Sequence, residues 1–271
     1  MKMYGAPDPL YVRARAALLD ATEALTPFLD AMVLVGAQAV YLQAGDSDLM
    51  VAEYTTDADF ALDPAGLPDS PLLESALESR GFSLRRVPGA WLSPDGIPVD
   101  FMVPEELNGP GSRAARLGVH GKRVATRARG LEGALVDRDR MTVSALDPDD
   151  SRSVELWVAG PAALLVAKVT KISERLGGSR VVDKDALDTL HLLRATPTNE
   201  LARRMIKLRR HELSAEVAED AITQLETLFT TDRADGTAMI VRAAGESEDP
   251  ATLAASTTVL TEDLLQVLRS L

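Results

Sequence analysis

The sequence predicts an α+β chain: an N-terminal lobe of mixed sheet flanked by helices, followed by an all-helical lobe. Three observations carry that expectation. Short β-rich apolar runs alternate with helical stretches through the first half of the 271 residues. From about residue 155 only helical apolar spacing remains. The hydrophobic share of 46%, with no Cys, describes a chain that buries a core without disulfides or a structural zinc.

Taken in order, residues 9–29 space their apolar side chains as a helix that stops near Pro27. Met32-Val33-Leu34-Val35 reads as a short buried strand ending at Gly36, with a small helix through Ala39, Val40 and Leu42. Thr55 to Leu62 alternates polar and apolar residues as a half-buried strand does. Residues 71–80 form a helix closed by Gly81, and 82–87 and 97–103 read as further strands. Beyond them, Pro161 opens a helix that ends before Gly177-Gly178. Helical spacing recurs at 183–194, 198–210, 215–229 and 261–270. The lobe boundary is expected in the acidic stretch 147–153, giving lobes of 1–150 and 151–271.

Composition narrows the function classes. No apolar run reaches the roughly 18 residues of a membrane span. Absence of Cys and of a signal peptide points to the cytoplasm. The balance of 29 Lys plus Arg against 41 Asp plus Glu, a net −12, argues against indiscriminate nucleic-acid binding. His120, His191 and His211 are too scattered for a metal cluster, and Trp91 and Trp157 read as packing residues.

Asp-x-Asp pairs recur at Asp46/Asp48, Asp57/Asp59, Asp137/Asp139, Asp147/Asp149 and Asp183/Asp185, so spacing alone does not choose among them. Only Asp57/Asp59 lies in a strand-like alternation. There both carboxylates face one way while Ala58, Phe60 and Leu62 face the core. A third acid, Asp100, sits alone in the apolar run 97–103, where a charge is costly unless paired or coordinating a cation. Hard divalent cations such as Mg²⁺ or Mn²⁺ take such oxygen ligands. Upstream, Gly36-Ala37 joins strand to helix with small residues, and a helix N-terminus attracts phosphate oxygens. Further on, Lys168, Lys171 and Arg175 share one face of the 161–176 helix, and Asp185 and Asp188 are three apart. The plainest reading of that second set is basic and acidic faces pairing across a helix junction.

In chain order these pieces resemble the polymerase-β-like nucleotidyltransferase superfamily, and more closely the AbiEii/MenT toxin family. The residues that carry the resemblance are Gly36-Ala37, Thr55-Thr56-Asp57-Ala58-Asp59, Asp100, Lys168 to Arg175, and Lys184-Asp185-Ala186-Leu187-Asp188. The family often has Gly or Ser where this chain has Ala37, and Arg where it has Glu53. The resemblance implies transfer of a nucleoside monophosphate from an NTP to an acceptor, with release of pyrophosphate. It implies Asp57, Asp59 and Asp100 as ligands of Mg²⁺ or Mn²⁺, with Asp100 also a candidate base. Gly36, Ala37, Thr55, Thr56, Lys168, Lys171 and Asp188 would contact the nucleotide. Lys168 would act on the pyrophosphate, oriented by Asp185, from a helical lobe contributing to the cleft. On this reading Lys168→Ala weakens activity at unchanged melting temperature.

Family members are toxins of toxin–antitoxin systems, and some extend the 3′ end of tRNA. The resemblance therefore implies tRNA or another RNA as acceptor and a cognate antitoxin as partner. The charge distribution leaves room for RNA. Between Leu107 and Leu131 there is no acid, where about four would be expected, yet Arg113, Arg116, Lys122, Arg123, Arg127 and Arg129 fall there. With two Trp, four Tyr and five Phe in the chain, base stacking is a poor route to RNA, and phosphate contacts should dominate. Two other classes remain open: a nucleotidyltransferase acting on a small-molecule or protein hydroxyl, and a non-catalytic binding protein of the same fold.

Overall fold

The computed structural model describes residues 8–45, 55–109, 111–178 and 182–271. Asp46, Asp48 and Glu53 lie outside them. The chain is α+β, with a mixed sheet flanked by helices and a helical C-terminal region. It divides into two compact units that interleave in sequence. One comprises residues 1–38, 54–128 and 139–158; the other comprises 39–53, 129–138 and 159–271.

In the first unit, helix α1 (Pro9–Ala24) is capped by Asp8, whose carboxylate accepts from Leu10 N at 2.7 Å. It stops where Pro27 opens a 3₁₀ turn over Thr26–Ala31, so the expected 9–29 helix is two elements. Strand β1 (Met32–Val35) is buried along its whole length and leads into α2 (Gly36–Ala44). Strand β2 (Ala58–Leu62) follows, then α3 (Leu73–Ser79), β3 (Ser83–Leu84), β4 (Ala90–Leu92) and β5 (Pro98–Pro104). Short β6 (Thr126–Ala128), β7 (Arg138–Ser144) and β8 (Ser153–Ala159) complete the strands among the described residues.

Their order is β3-β4-β5-β2-β1-β8-β7, with β6 beside β5. Strand β1 runs antiparallel to β2 and parallel to β8, and β2 runs parallel to β5. The sequence reading does not name β4, β6, β7 or β8. Strands of three residues carry too little alternation to be seen, and β7 and β8 flank the acidic stretch whose composition marks a lobe boundary. The core face is set by Phe60 and Phe101, in register and stacked at 5.5 Å, and by the fully buried Trp91. The Trp91 indole donates to the Val124 carbonyl at 3.1 Å, which satisfies its one polar group.

The second unit is built around α4 (Pro161–Arg175), buried along most of its length. It packs against α5 (Asp183–Ala195), α6 (Thr198–Arg210) and α7 (Ala215–Phe229); α8 (Asp235–Ala244) and α9 (Pro250–Ser270) complete the helices described. Gly160 precedes α4 and has no capping side chain, so Asp137 supplies the cap. Its Oδ2 accepts from Ala162 N and Ala163 N, each at 3.1 Å, and its Oδ1 accepts from Arg204 at 2.8 Å. The acid is 1% exposed, so its charge is balanced by donors rather than water. A Cβ on Gly160 would lie 2.5 Å from that carboxylate, which explains a glycine there. Asp137→Ala should lower stability by about 2–4 kcal/mol, since it frees two helix N–H groups and removes one carboxylate partner of the half-buried Arg204. Urea denaturation followed by far-UV circular dichroism checks it.

Candidate active site

Two constellations hold the residues singled out by sequence, one in each unit. The first is a row of side chains on the face of the sheet opposite Phe60 and Phe101. Val35 stands opposite Asp59, and Asp59 opposite Asp100, in adjacent strands. Opposed residues project to the same face, so the two carboxylates are side by side. Next to them the chain leaves β1 at Gly36 with φ of 70°, a left-handed conformation that glycine adopts without strain. A Cβ there would stand 2.0 Å from Oδ2 of Asp59. Gly36 is thus required first by the close approach of Asp59, and Ala37 is buried behind it.

Asp57 departs from the expected pattern. The strand begins at Ala58, so Asp57 precedes it and is not placed by ladder hydrogen bonds. Strand β1 ends at Val35 because Gly36 turns into α2, and nothing is left to pair with Asp57 on that side. Its backbone is held by a side chain instead: Gln38 Nε2 donates to the Asp57 carbonyl at 2.8 Å. Buried Arg15 donates to Gln38 Oε1 at 2.9 Å and fixes the amide. Buried Thr55 donates its hydroxyl to Asp57 Oδ1, which orients the carboxylate, while Thr56 is exposed. Sequence reading assigned Thr55 to the nucleotide and missed Gln38 and Arg15; neither carries a local signal, since both act across elements.

Burial raises the Asp100 pKa above the usual carboxylate range, and the Asp57 charge pushes it the same way. Arg85 and Arg113 pull it down without reversing the direction. Among the described residues no group of three or more His, Cys, Asp or Glu side chains converges as a metal-binding cluster. The donor chemistry still suits a hard divalent cation, because Asp57, Asp59 and Asp100 offer only carboxylate oxygens, and a cation would relieve the repulsion felt at Asp100.

The second constellation is buried in the helical unit. Lys168 Nζ donates to Asp185 Oδ1 at 2.8 Å and to Asp188 Oδ2 at 2.6 Å. Lys171 Nζ reaches the same Asp185 oxygen at 3.0 Å. Burial acts to lower the Lys168 pKa, but Asp188 and Asp185 outweigh it and the ammonium is held charged. At Asp185 burial raises the pKa, yet Lys168 and Lys171 bring it below the ordinary value. Lys168 is 6% exposed, whereas the Lys171 side chain is 40% exposed. Lys171 is therefore the cation open to an incoming anion, and Lys168 ties α4 to α5. The Lys184 ammonium lies 5.5 Å from the centre of the Tyr41 ring.

The basic window separates into two groups. Arg127 pairs with Glu105 and donates to the Gly111 carbonyl at 2.8 Å, and Arg129, in the helical unit, pairs with Glu216 and Asp220. Arg113, Arg116, Lys122 and Arg123 are exposed. None of these four pairs with a carboxylate among the described residues.

No protein-family model matches the chain, and no curated protein does. Among solved structures, it resembles an antigenic nucleotidyltransferase-like protein from Paracoccidioides brasiliensis at 15% identity and a TM-score of 0.43. That likeness covers 88% of this chain and 94% of the other.

Two outcomes follow from the geometry. Lys168→Met leaves two buried carboxylates without their shared cation, so it should cost about 3–5 kcal/mol and lower the melting temperature. The expectation of an unchanged melting point thus gives way to the burial of this side chain. Asp100, with its raised pKa, stabilises the fold fully only below the ordinary carboxylate range and loses that contribution as pH rises through its folded value. Asp100→Asn should therefore melt higher than the wild type in EDTA near about pH 7.5, with the gap closing towards about pH 4. Thermal melts of both proteins across that range check it.

Proposed function

We propose that the chain is a metal-dependent nucleotidyltransferase that joins a nucleoside monophosphate from an NTP to a hydroxyl of an RNA acceptor, releasing pyrophosphate. The observation that carries this reading is the opposed pair Asp59 and Asp100, with Asp57 in electrostatic reach and Gly36 at the helix start beside them. Carboxylates at that spacing on rigid strands are costly for the fold unless a cation uses them.

In this reading Asp57, Asp59 and Asp100 hold Mg²⁺ or Mn²⁺. The bound metal would stabilise the charge on the attacking and leaving oxygens. Thr55 and Gln38 keep Asp57 in place, one through the carboxylate and the other through the backbone. Asp100, opposed to Asp59 on the same face, accepts the proton of the attacking hydroxyl. The acceptor oxygen then bonds to the α-phosphorus, and the bond to the pyrophosphate oxygen breaks. Exposed Lys171 is the candidate cation for the polyphosphate, with Asp185 setting its position and Lys168 neutralising the two acids beneath.

The tRNA 3′ end is the favoured acceptor, and a toxin role with a cognate antitoxin follows from the sequence resemblance. Among the described residues no helix is long and apolar enough to cross a membrane. Incubating the protein with each labelled NTP and total tRNA should yield an RNA one nucleotide longer. Asp59→Ala should abolish that product, by at least about 100-fold, without unfolding the chain. Label appearing only on protein or on small molecules would move the reading to another acceptor, and full activity of Asp59→Ala would end it.

A further inference from the structure

The row that joins Asp59 to Asp100 continues across the sheet. Ala90 stands opposite Asp100, and Arg85 donates its backbone N–H to the Ala90 carbonyl at 2.8 Å. Leu84 pairs with Trp91, so Arg85 and Ala90 are the next opposed positions. Trp91 lies on the core face, which puts Arg85, Ala90, Asp100 and Asp59 together on the other. Only the methyl group of Ala90 rises between Arg85 and Asp100. Two strand spacings, about 10 Å, separate the two backbones, within range of an extended arginine turned towards the acid.

Two more arginines are tied to the same edge. The Arg123 guanidinium donates to the Arg85 carbonyl at 3.3 Å, and the Arg123 carbonyl accepts from Gly89 N at 2.8 Å. The Arg113 carbonyl accepts from Arg127 N at 2.8 Å and from the Thr126 hydroxyl at 2.9 Å. Thr126 belongs to β6, which pairs with β5 at Met102, two residues beyond Asp100. Backbone bonds from three segments therefore bring three exposed arginines to the strands beside Asp100. None of Arg85, Arg113 and Arg123 pairs with a carboxylate among the described residues, in a chain whose net charge is −12. Exposed arginines that do pair, such as Arg80 with Glu23 at 3.9 Å, occur on the same unit.

The carboxylate row thus has anion-attracting groups at both ends: the start of α2 at Gly36, and these arginines beyond Asp100. A transfer reaction between two phosphate-bearing substrates needs two such ends, one for the triphosphate and one for the acceptor. An acceptor without phosphate needs one. We infer that Arg85, Arg113 and Arg123 form a ledge that takes the phosphodiester next to the acceptor hydroxyl, so that the acceptor is a polynucleotide end. This rests on the nucleotidyl-transfer reading for its meaning, but the ledge binds RNA whether or not transfer occurs.

The test uses the full chain and a labelled single-stranded RNA with a free 3′ hydroxyl. Binding is followed by fluorescence anisotropy over a series of salt concentrations without NTP. The comparison is wild type, Arg85→Gln/Arg113→Gln, and Arg80→Gln as a surface control. Losing two phosphate contacts should make the log–log salt slope shallower by about 1.4, with at least about 10-fold weaker binding at low salt. Arg80→Gln should match wild type, and the double variant should keep the wild-type far-UV circular dichroism spectrum, since its changes are on the surface. A double variant that keeps the wild-type slope overturns the ledge. If the wild type adds no nucleotide to any RNA while the slope still falls, the transfer reading fails and the ledge stands. If the double variant extends RNA as fast as wild type at limiting RNA, the ledge fails and the transfer reading stands.

Discussion

The stacking of Phe60 on Phe101 across adjacent parallel strands sets the geometry of the carboxylate row. Side chains along a strand alternate between faces, so two aromatic rings locked in register on the core face oblige Asp59 and Asp100 to meet on the other. A slip of one residue would turn a ring towards solvent and a carboxylate into the core. Burying Trp91, Val99 and Phe101 on that face makes such a slip costly by several side chains at once. The acids are therefore held together by apolar packing behind them, against their own repulsion.

Gly36 belongs to the same constraint. The close approach of Asp59 leaves no room for a Cβ, and the turn from β1 into α2 demands a positive φ. Both needs select glycine, and both end β1 before it can pair with Asp57. The chain then relies on Gln38, Arg15 and Thr55 to hold Asp57, so a buried polar relay replaces the ladder where the ladder stops. The helical unit uses charge differently. Its Lys168 is surrounded by Asp185 and Asp188, and pairing in a dry setting makes that cation structural while leaving Lys171 exposed.

The longer periodic segments were legible in the sequence. Strand β1, helices α2, α4, α5, α6 and α7, and the acid-bearing strand β5 follow from alternation or helical spacing, because each is long or apolar enough to show its period. What stayed hidden depends on partners distant in sequence. Strands β4 and β6 have three residues each and exist through the neighbours they pair with. The bond from the Thr55 hydroxyl to Asp57 Oδ1 depends on how the chain bends before β2, which no periodicity records. Arg85 had no motif around it; its place beside Asp100 follows from the registers of β3 on β4 and β4 on β5, which no local pattern encodes. The burial of Lys168 was likewise invisible, since Lys168 and Lys171 look alike on a helical wheel.

Net charge is a weak guide to a partner for the same reason. Salt at physiological strength screens exposed charges beyond about 8 Å, so an approaching phosphate responds to the groups nearest it and little to the sum. What matters locally is which cations are already matched. Arg127 and Arg129, prominent in the acid-free window, have carboxylates within bonding range and offer little to a ligand. Arg113 and Arg123, from the same window, do not, and Arg85, from outside it, joins them by backbone pairing. An acid-free stretch of sequence is thus neither necessary nor sufficient for a basic surface. The surface is made by the sheet, which brings these cations together without an ion pair to any carboxylate among the described residues.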